Sequence, residues 1–316
     1  MMNKLTKLLG IKYPIIQGPM AWITEAELAI AVGEAGGAGV IACGSRNAAW
    51  IREEVKKVRA ATDKPFGLNV PLLDLNKDEL LRTACEEKVP FVTIGAGNPI
   101  PYIESFKKAG IKVICVIPNL KLAKRVEDNG ADAIVIEGME AGGHIGSITT
   151  MALLTNIIPE MKIPVIAAGG IADGRGMAAA FLMGAAGVQI GTAFLLAEEC
   201  TVHMNVKRRL IEAMDTDSVV TGLLHGHSAR CLKNDFTEKY LGLERTAAPQ
   251  EKMDQLATGT SRLSAVEGDI ANGSVFAGQS LVRLKSIRPV REIIESIYNE
   301  AVEVLNKAPG LLIKRD

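Results

Sequence analysis

Eight short, β-rich apolar runs punctuate the first two-thirds of the chain: YPIIQGPM, AGVIACG, PFGLNVPLL, FVTIGAG, KVICVIP, AIVIEGM, PVIAAGG and GVQIGTAFL. Between them lie segments with apolar residues at helical spacing, such as Glu25 to Glu34, Trp50 to Ala61, Leu80 to Glu87, Ile100 to Ala109 and Lys121 to Asn129. A strand that reaches the next strand only through a helix cannot use a tight hairpin, so the strands are predicted to run parallel. Several helical segments end in a glycine before the next strand, as in GEAGGAGVI, KKAGIKVI, EDNGADAIV and LMGAAGVQI. Such a glycine suits the left-handed position just past a helix.

Eight such units predict a TIM (β/α)8 barrel. A doubly wound open sheet uses the same alternation, but no G-x-G-x-x-G opens a helix after a strand in the right place. The 316 residues, 48% of them hydrophobic, can bury a core of that size. After Leu196 the pattern becomes richer in charge, which predicts a smaller, mostly helical lid insertion after the eighth strand. Its amphipathic pieces lie at His203 to Met214 and Glu251 to Leu256, with Lys207, Arg208 and Arg209 on a solvated helix face. The division expected is 1–197 for the barrel, 198–270 for the lid, and 271–316 for a return through GSVFAGQSLVRL to a last helix at Val290 to Leu305.

Thirty-six basic residues balance thirty-six acidic ones, so no overall field favours nucleic acid or an anionic membrane surface, and a small-molecule substrate fits better. No run reaches the roughly 18 apolar residues of a membrane span, and the N-terminal stretch lacks a leader's apolar core. A cytoplasmic protein is expected. Cys43, Cys85, Cys115, Cys200 and Cys231 form no C-x-x-C and read as reduced, mostly buried thiols. His225 and His227 stand two apart with no third ligand at evident spacing, so no metal site is expected.

In such a barrel, chemistry gathers at strand C-terminal ends. The loops there hold Gly18, Pro19, Met20 and Ala21 after the first run, Asn69 after the third, and Glu137 with a glycine-rich loop after the sixth. Gly169 and Gly170 follow the seventh, and Gly191 and Thr192 the eighth. Loops seven and eight commonly bind phosphate through backbone N–H groups and a helix N-terminus. Plain tight turns would also use these glycines. The stretch EGMEAGGHIGS sets His144 among four glycines that would let it move over the mouth and donate a proton or polarise a carbonyl. Glu137 and Glu140 could pair; alternatively, Glu137 accepts from ribityl or sugar hydroxyls and Glu140 is a solvated charge.

QGPMAW, PFGLNV, TIGAGNP, EGMEAGGHIG, PVIAAGGIADG, QIGTAF and NGSVFAGQ occur in this order over most of the chain. Together they resemble the flavin-dependent type II enoyl-acyl-carrier-protein reductases, with EGMEAGGHIG the most specific match. The related nitronate monooxygenases share the FMN barrel and a glycine-histidine motif and provide the alternative reading. A flavin-free phosphate-binding barrel is a third.

The resemblance implies noncovalent FMN with its phosphate at Gly169, Gly170, Gly191 and Thr192. Pro19, Met20, Ala21 and Asn69 would surround the ring, and Glu137 would face the ribityl chain. Gln189, Gly278 and Gln279 match further cofactor-proximal positions. Phe276 stands where the family pattern has methionine. NADH or NADPH would reduce FMN, and hydride would then pass to an enoyl thioester on acyl carrier protein, with His144 acting at its carbonyl or α-carbon. The resemblance also implies a homodimer, and in some relatives a monovalent cation, for which Ser274 could supply an oxygen.

Overall fold

Alternate residues of each short strand face two different cores, and that alternation builds the molecule. The computed structural model describes residues 3–224 and 226–311. Its strands are β1 (Ile15–Gln17), β2 (Gly39–Ala42), β3 (Phe66–Pro71), β4 (Phe91–Gly95), β5 (Lys112–Ile117), β6 (Ala133–Glu137), β7 (Gly143–His144), β8 (Val165–Ala168), β9 (Gly187–Ile190), β10 (Ser218–Thr221) and β11 (Ala229–Leu232). Eight of them are parallel, in the order β1-β9-β8-β6-β5-β4-β3-β2. A bridge between Ile16 and Ala38, with Gln17 N donating to Ala38 O at 2.9 Å, closes β2 onto β1. The fold is a TIM barrel, as expected.

Ile16, Val40, Phe91, Ile114, Ala133, Val135 and Ile166 pack inside the barrel against Leu5, Leu9 and Ile11, which close its N-terminal end. The residues between them in sequence, Ile15, Ile41, Val92, Val113, Ile134 and Val165 among them, pack outward under the helices. Glycine appears where the interior has no room: a Cβ on Gly67 would overlap the Phe91 ring, and one on Gly187 would overlap Leu5. Full burial of Phe91 contributes roughly 2–3 kcal/mol.

The crossover helices lie where the periodicity put them, at Ala26–Glu34, Ala48–Ala61, Lys77–Glu86, Ile100–Lys108 and Leu120–Asp128. Asn47 and Asn119 start two of these helices, each side chain accepting from the N–H three residues on, at 2.9 and 3.0 Å. Gly36, Gly110, Gly130 and Gly184, the glycines that end four helices, all have positive φ.

Residues 198–270 hold four helices, Met204–Glu212, Asp235–Arg245, Gln250–Ala257 and Thr260–Ala265, together with the β10–β11 hairpin. The hairpin was not visible in the sequence, because its seven-residue connection lacks the two-residue turn signature. β11 pairs antiparallel with β7, so the lid is stitched to the glycine-rich loop of the barrel. Lys207, expected on a solvated face, is instead 3% exposed, with Nζ donating to Ala197 O at 2.6 Å. The last helix, Val290–Lys307, packs on the helix Gly174–Leu182 at a glycine contact, where a Cβ on Gly174 would overlap the backbone of Ala301. Among the described residues no helix is long and apolar enough to cross a membrane. The five cysteines are free thiols, and all but Cys85 are buried.

Candidate functional site

One layer above the apolar interior, the inward-facing positions become polar. Asn69, Thr93, Glu137 and Gln189 each follow by two residues an interior position on the same strand, Gly67, Phe91, Val135 and Gly187. The strand register sets Asn69 beside Thr93, and Glu137 and Gln189 on either side of Ala168, so the polar positions gather toward the C-terminal ends of the strands. Asn69 Nδ2 donates to Thr93 Oγ1 at 3.0 Å. Gln189 Oε1 is buried and has no hydrogen-bond partner among the described residues, a costly state in a folded protein. Burial pushes the Glu137 carboxyl up from 4.5 to about 7.

The loop after β1 closes one side of this layer. Gly18 N donates to Ile190 O at 2.7 Å, and a Cβ on Gly18 would lie 3.2 Å from Gly191 Cα. Two glycines therefore let the two loops touch, and Pro19, Met20 and Ala21 follow beside them. A Cβ on Gly191 would meet only Met20 Sδ, at 3.9 Å, so open space adjoins that backbone.

The phosphate-type loops divide differently from the sequence expectation. Gly169 and Gly170 have φ of 89° and 73°, a left-handed pair that turns the chain sharply. The N-terminus of the next helix is already taken: Asp173 Oδ1 accepts from Gly176 N at 3.0 Å, and Glu300 Oε2 accepts from Gly174 N at 2.8 Å. An anion is left the backbone at Gly170, Gly191 and Thr192. The Thr192 hydroxyl accepts from Gly278 N at 3.0 Å, which leaves its own proton free to donate. Beyond Gly170 a cavity of about 260 Å³ is lined by Gln279, Ser280 and Arg283, among others.

Glu140 is neither a solvated charge nor a partner of Glu137. Its carboxylate accepts from Thr150 N and Thr150 Oγ1 at 3.0 Å, and its backbone carbonyl accepts from Gln279 N at 3.0 Å. A Cβ on Gly278 would come within 2.8 Å of Glu140 O, and one on Gly142 within 2.7 Å of the Ala277 carbonyl carbon. Close approach is thus the reason for both glycines.

His144 does not ride on a free loop. Gly143 and His144 form β7, with His144 opposite Ala229, and Ile145 N donates to Ser228 O at 2.9 Å. Its ring lies 6.1 Å from the ring of Phe276. The residue is open to solvent, yet enough protein crowds the imidazole that lost hydration, and then the charge of His227, holds its pKa below the usual value. That shift favours the uncharged ring, which has one N–H to donate and one nitrogen to accept.

The remaining histidines and the Ser274 hydroxyl fall elsewhere. His203 caps a lid helix, its Nδ1 accepting from Asn205 N at 3.1 Å. His225 lies outside the described residues. The Ser274 hydroxyl is engaged with Thr260 Oγ1 at 3.0 Å within the lid. No cluster of three metal-ligating side chains occurs among the described residues.

The sequence matches the family model described as nitronate monooxygenase over residues 2–80 and 74–300. The chain belongs to the nitronate monooxygenase family. Its members are FMN-dependent oxidoreductases. FabK from Thermotoga maritima is 44% identical, covering 99% of this chain and 100% of its own, with a TM-score of 0.96. Nitroalkane oxidase from Streptomyces ansochromogenes is 29% identical, over 97% and 100%, with a TM-score of 0.86. A Mycobacterium tuberculosis relative, named as a hydroxy-methyl-oxo-octahydro-indene-carboxyl-CoA dehydrogenase, is 33% identical over 98% of each chain. A probable nitronate monooxygenase of Staphylococcus haemolyticus is 31% identical, over 96% of this chain and 98% of its own.

The residues of this family member suit its cofactor. An orphaned amide oxygen at Gln189 calls for a donor such as a flavin ring N–H, and the free Thr192 proton calls for an acceptor such as a phosphate oxygen.

Proposed function

We propose that the protein is an enoyl-acyl-carrier-protein reductase that uses NADH or NADPH and FMN to reduce the trans-2 double bond of an enoyl thioester. The observation that carries the reading is His144, a neutral hydrogen-bond donor fixed by strand pairing at a polar barrel mouth. The 44% identity with FabK across the chain, joined to the motif resemblance, supports the reductase over other family activities. The Mycobacterium relative named for a carboxyl-CoA compound supports a thioester substrate.

Backbone N–H groups at Gly170, Gly191 and Thr192, with the Thr192 hydroxyl, would hold the FMN phosphate behind the turn at Gly169. Glu137 would accept from the ribityl chain, and Pro19, Met20, Ala21, Asn69 and Gln189 would border the ring. Gly278 and Gln279 close the site through their bonds to Thr192 and Glu140. Bound FMN supplies hydride transfer between nicotinamide and a carbon acceptor, which no side chain can perform. His144 then has the protein's part of the chemistry. Its N–H donates to the thioester carbonyl oxygen, where charge develops as the β-carbon is reduced, and a donor already in position lowers that barrier. A lowered pKa suits this role better than proton delivery, because it favours the neutral imidazole, and solvent water then supplies the proton that the α-carbon takes up.

The family match and the name of the Staphylococcus haemolyticus relative favour a second reading, oxidation of nitronates with O2. Anaerobic mixing separates the two. Bleaching of the flavin bands by NAD(P)H and their recovery on adding crotonyl thioester is the result expected. Bleaching by a nitroalkane without nicotinamide, and no recovery with the thioester, would overturn the reductase.

A further inference from the structure

Arg230 is the least expected charge in the molecule. It is 4% exposed, on the central strand of the lid sheet, and no carboxylate lies within ion-pairing distance of it among the described residues. Nε and Nη2 both donate to Met139 O, at 3.1 and 3.0 Å, and Nη1 donates to Ser218 Oγ at 3.2 Å. A buried guanidinium whose hydrogen-bond acceptors are all neutral keeps much of its desolvation cost, which the nearby but unpaired Glu140 carboxylate offsets only in part. An apolar side chain at that position would pack the sheet without the cost. Hydrogen bonding to one backbone carbonyl is what a hydrocarbon could not reproduce.

That carbonyl belongs to the turn between β6 and β7. Glu137, the last residue of β6, lies two residues before Met139, and His144 lies five after it. Arg230 also stands opposite Gly143 in the β7–β11 register. Residues 229 and 230 alternate across β11, so Ala229 shares a face with His144 and the Arg230 side chain leaves by the other. The strand pairing holds His144 from one side, and the guanidinium fork holds the turn behind it. A two-pronged planar donor fixes direction as well as distance, which a lysine ammonium cannot do.

We infer that Arg230 is a positioning residue: through Met139 O it sets the turn that delivers Glu137 and His144 to the barrel mouth, making the lid hairpin part of the catalytic frame. It touches no reacting atom and acts through the turn. The inference rests on the proposed role of His144, and its first readout is independent of that role.

The test uses the FMN-loaded protein and four variants, Arg230→Met, Arg230→Lys, Arg230→Ala and Ser218→Ala. Backbone hydrogen exchange over residues 138–146, measured without substrate, should rise in Arg230→Met and in Arg230→Lys. Ser218→Ala, which leaves both bonds to Met139 O, should move it least and serves as the control, while Arg230→Lys, which keeps the charge, serves if Arg230→Met folds poorly. Reoxidation of the reduced protein by crotonyl thioester should slow by about tenfold to a hundredfold in Arg230→Met, the cost of a small misplacement. Reduction by NAD(P)H should change far less, and acceptor KM less than kcat. Ethylguanidinium, at concentrations too low to unfold the protein, should restore part of the lost rate in Arg230→Ala. Unchanged exchange over 138–146 together with unchanged reoxidation in Arg230→Met would overturn the inference. So would a rate loss shared equally by both half-reactions, which marks general destabilisation. Failure of wild type to accept the thioester would sink the reductase reading alone, since exchange, and the rate at which a nitronate reduces the oxidised flavin, still test the arginine.

Discussion

The two ends of the barrel interior are built on the same strands, two residues apart, and differ in kind. At the N-terminal end, Phe91, Val135 and Ile166 meet Leu5, Leu9 and Ile11, and the space is filled. One level up, Thr93, Glu137 and Gln189 take the inward positions, with an amide oxygen left unpaired and a carboxyl pushed to about 7. A strand of four or five residues thus spends its first inward position on stability and its last on a site. The contrast teaches that substitutions at the two levels should separate folding from function.

The largest expected effect is at the closed end. Phe91→Ala empties a fully buried ring position and should cost about 3–5 kcal/mol of unfolding free energy. Urea titration would measure it, and the FMN content per folded molecule should stay near that of wild type. A loss of FMN without loss of stability would break the contrast between the two levels.

At the open end the order reverses. His144→Ala removes an exposed ring whose strand pairing is carried by backbone, so the fold and bound FMN should persist. Reoxidation of the reduced protein by an enoyl thioester should fall by about 10²–10³-fold, the range for one positioned donor or acid. Full turnover in this variant, followed by stopped-flow absorbance, would remove His144 from the mechanism.

Gly191→Val comes next. Its φ of −104° is open to any residue, and its Cβ would meet only Met20 Sδ, so the variant should fold. The new side chain would occupy the space beside Thr192 and weaken FMN binding by about a hundredfold, the loss of two hydrogen bonds to phosphate at roughly 1.5 kcal/mol each. A variant that purifies fully yellow would refute the phosphate assignment.

How much of this was legible beforehand depends on which force wrote each feature. The barrel was legible because eight crossovers repeat one pattern, and the chain-reversing glycines at Gly110 and Gly130 announced the helix ends. Asn69, Glu137 and Gln189 could be found because they are polar residues at the ends of apolar runs. Thr93 was missed: FVTIG is buried on both faces, so its period-two alternation is hidden, and only the register with Asn69 exposes it. His144 stands on a paired strand rather than on the mobile loop that its glycines suggested. Glycines signal freedom locally, and the pairing that removes it comes from Ala229, 85 residues away in a hairpin without a turn signature. Arg230 was invisible for the same reason, since ARCL reads as a short core strand and nothing local names Met139 O as the partner.

The smallest effect concerns Glu137 and sharpens the comparison through pH. Its folded pKa, raised by burial to about 7 from 4.5, means the folded protein holds this proton more tightly than the unfolded chain. Stability from that proton is fully present below pH 4.5 and is lost as pH rises through about 7. Flavin-stripped wild type should therefore weaken between pH 5 and 8 relative to Glu137→Gln, by about 2 kcal/mol, less than the full shift implies because water reaches the open mouth. Urea midpoints at the two pH values measure the gap. Saturating FMN should narrow it, because hydroxyls donating to the carboxylate favour its charged form. Parallel pH profiles for wild type and Glu137→Gln would mean that the carboxyl is as well solvated as a surface glutamate, and the open end of the barrel would then be wetter than its burial suggests.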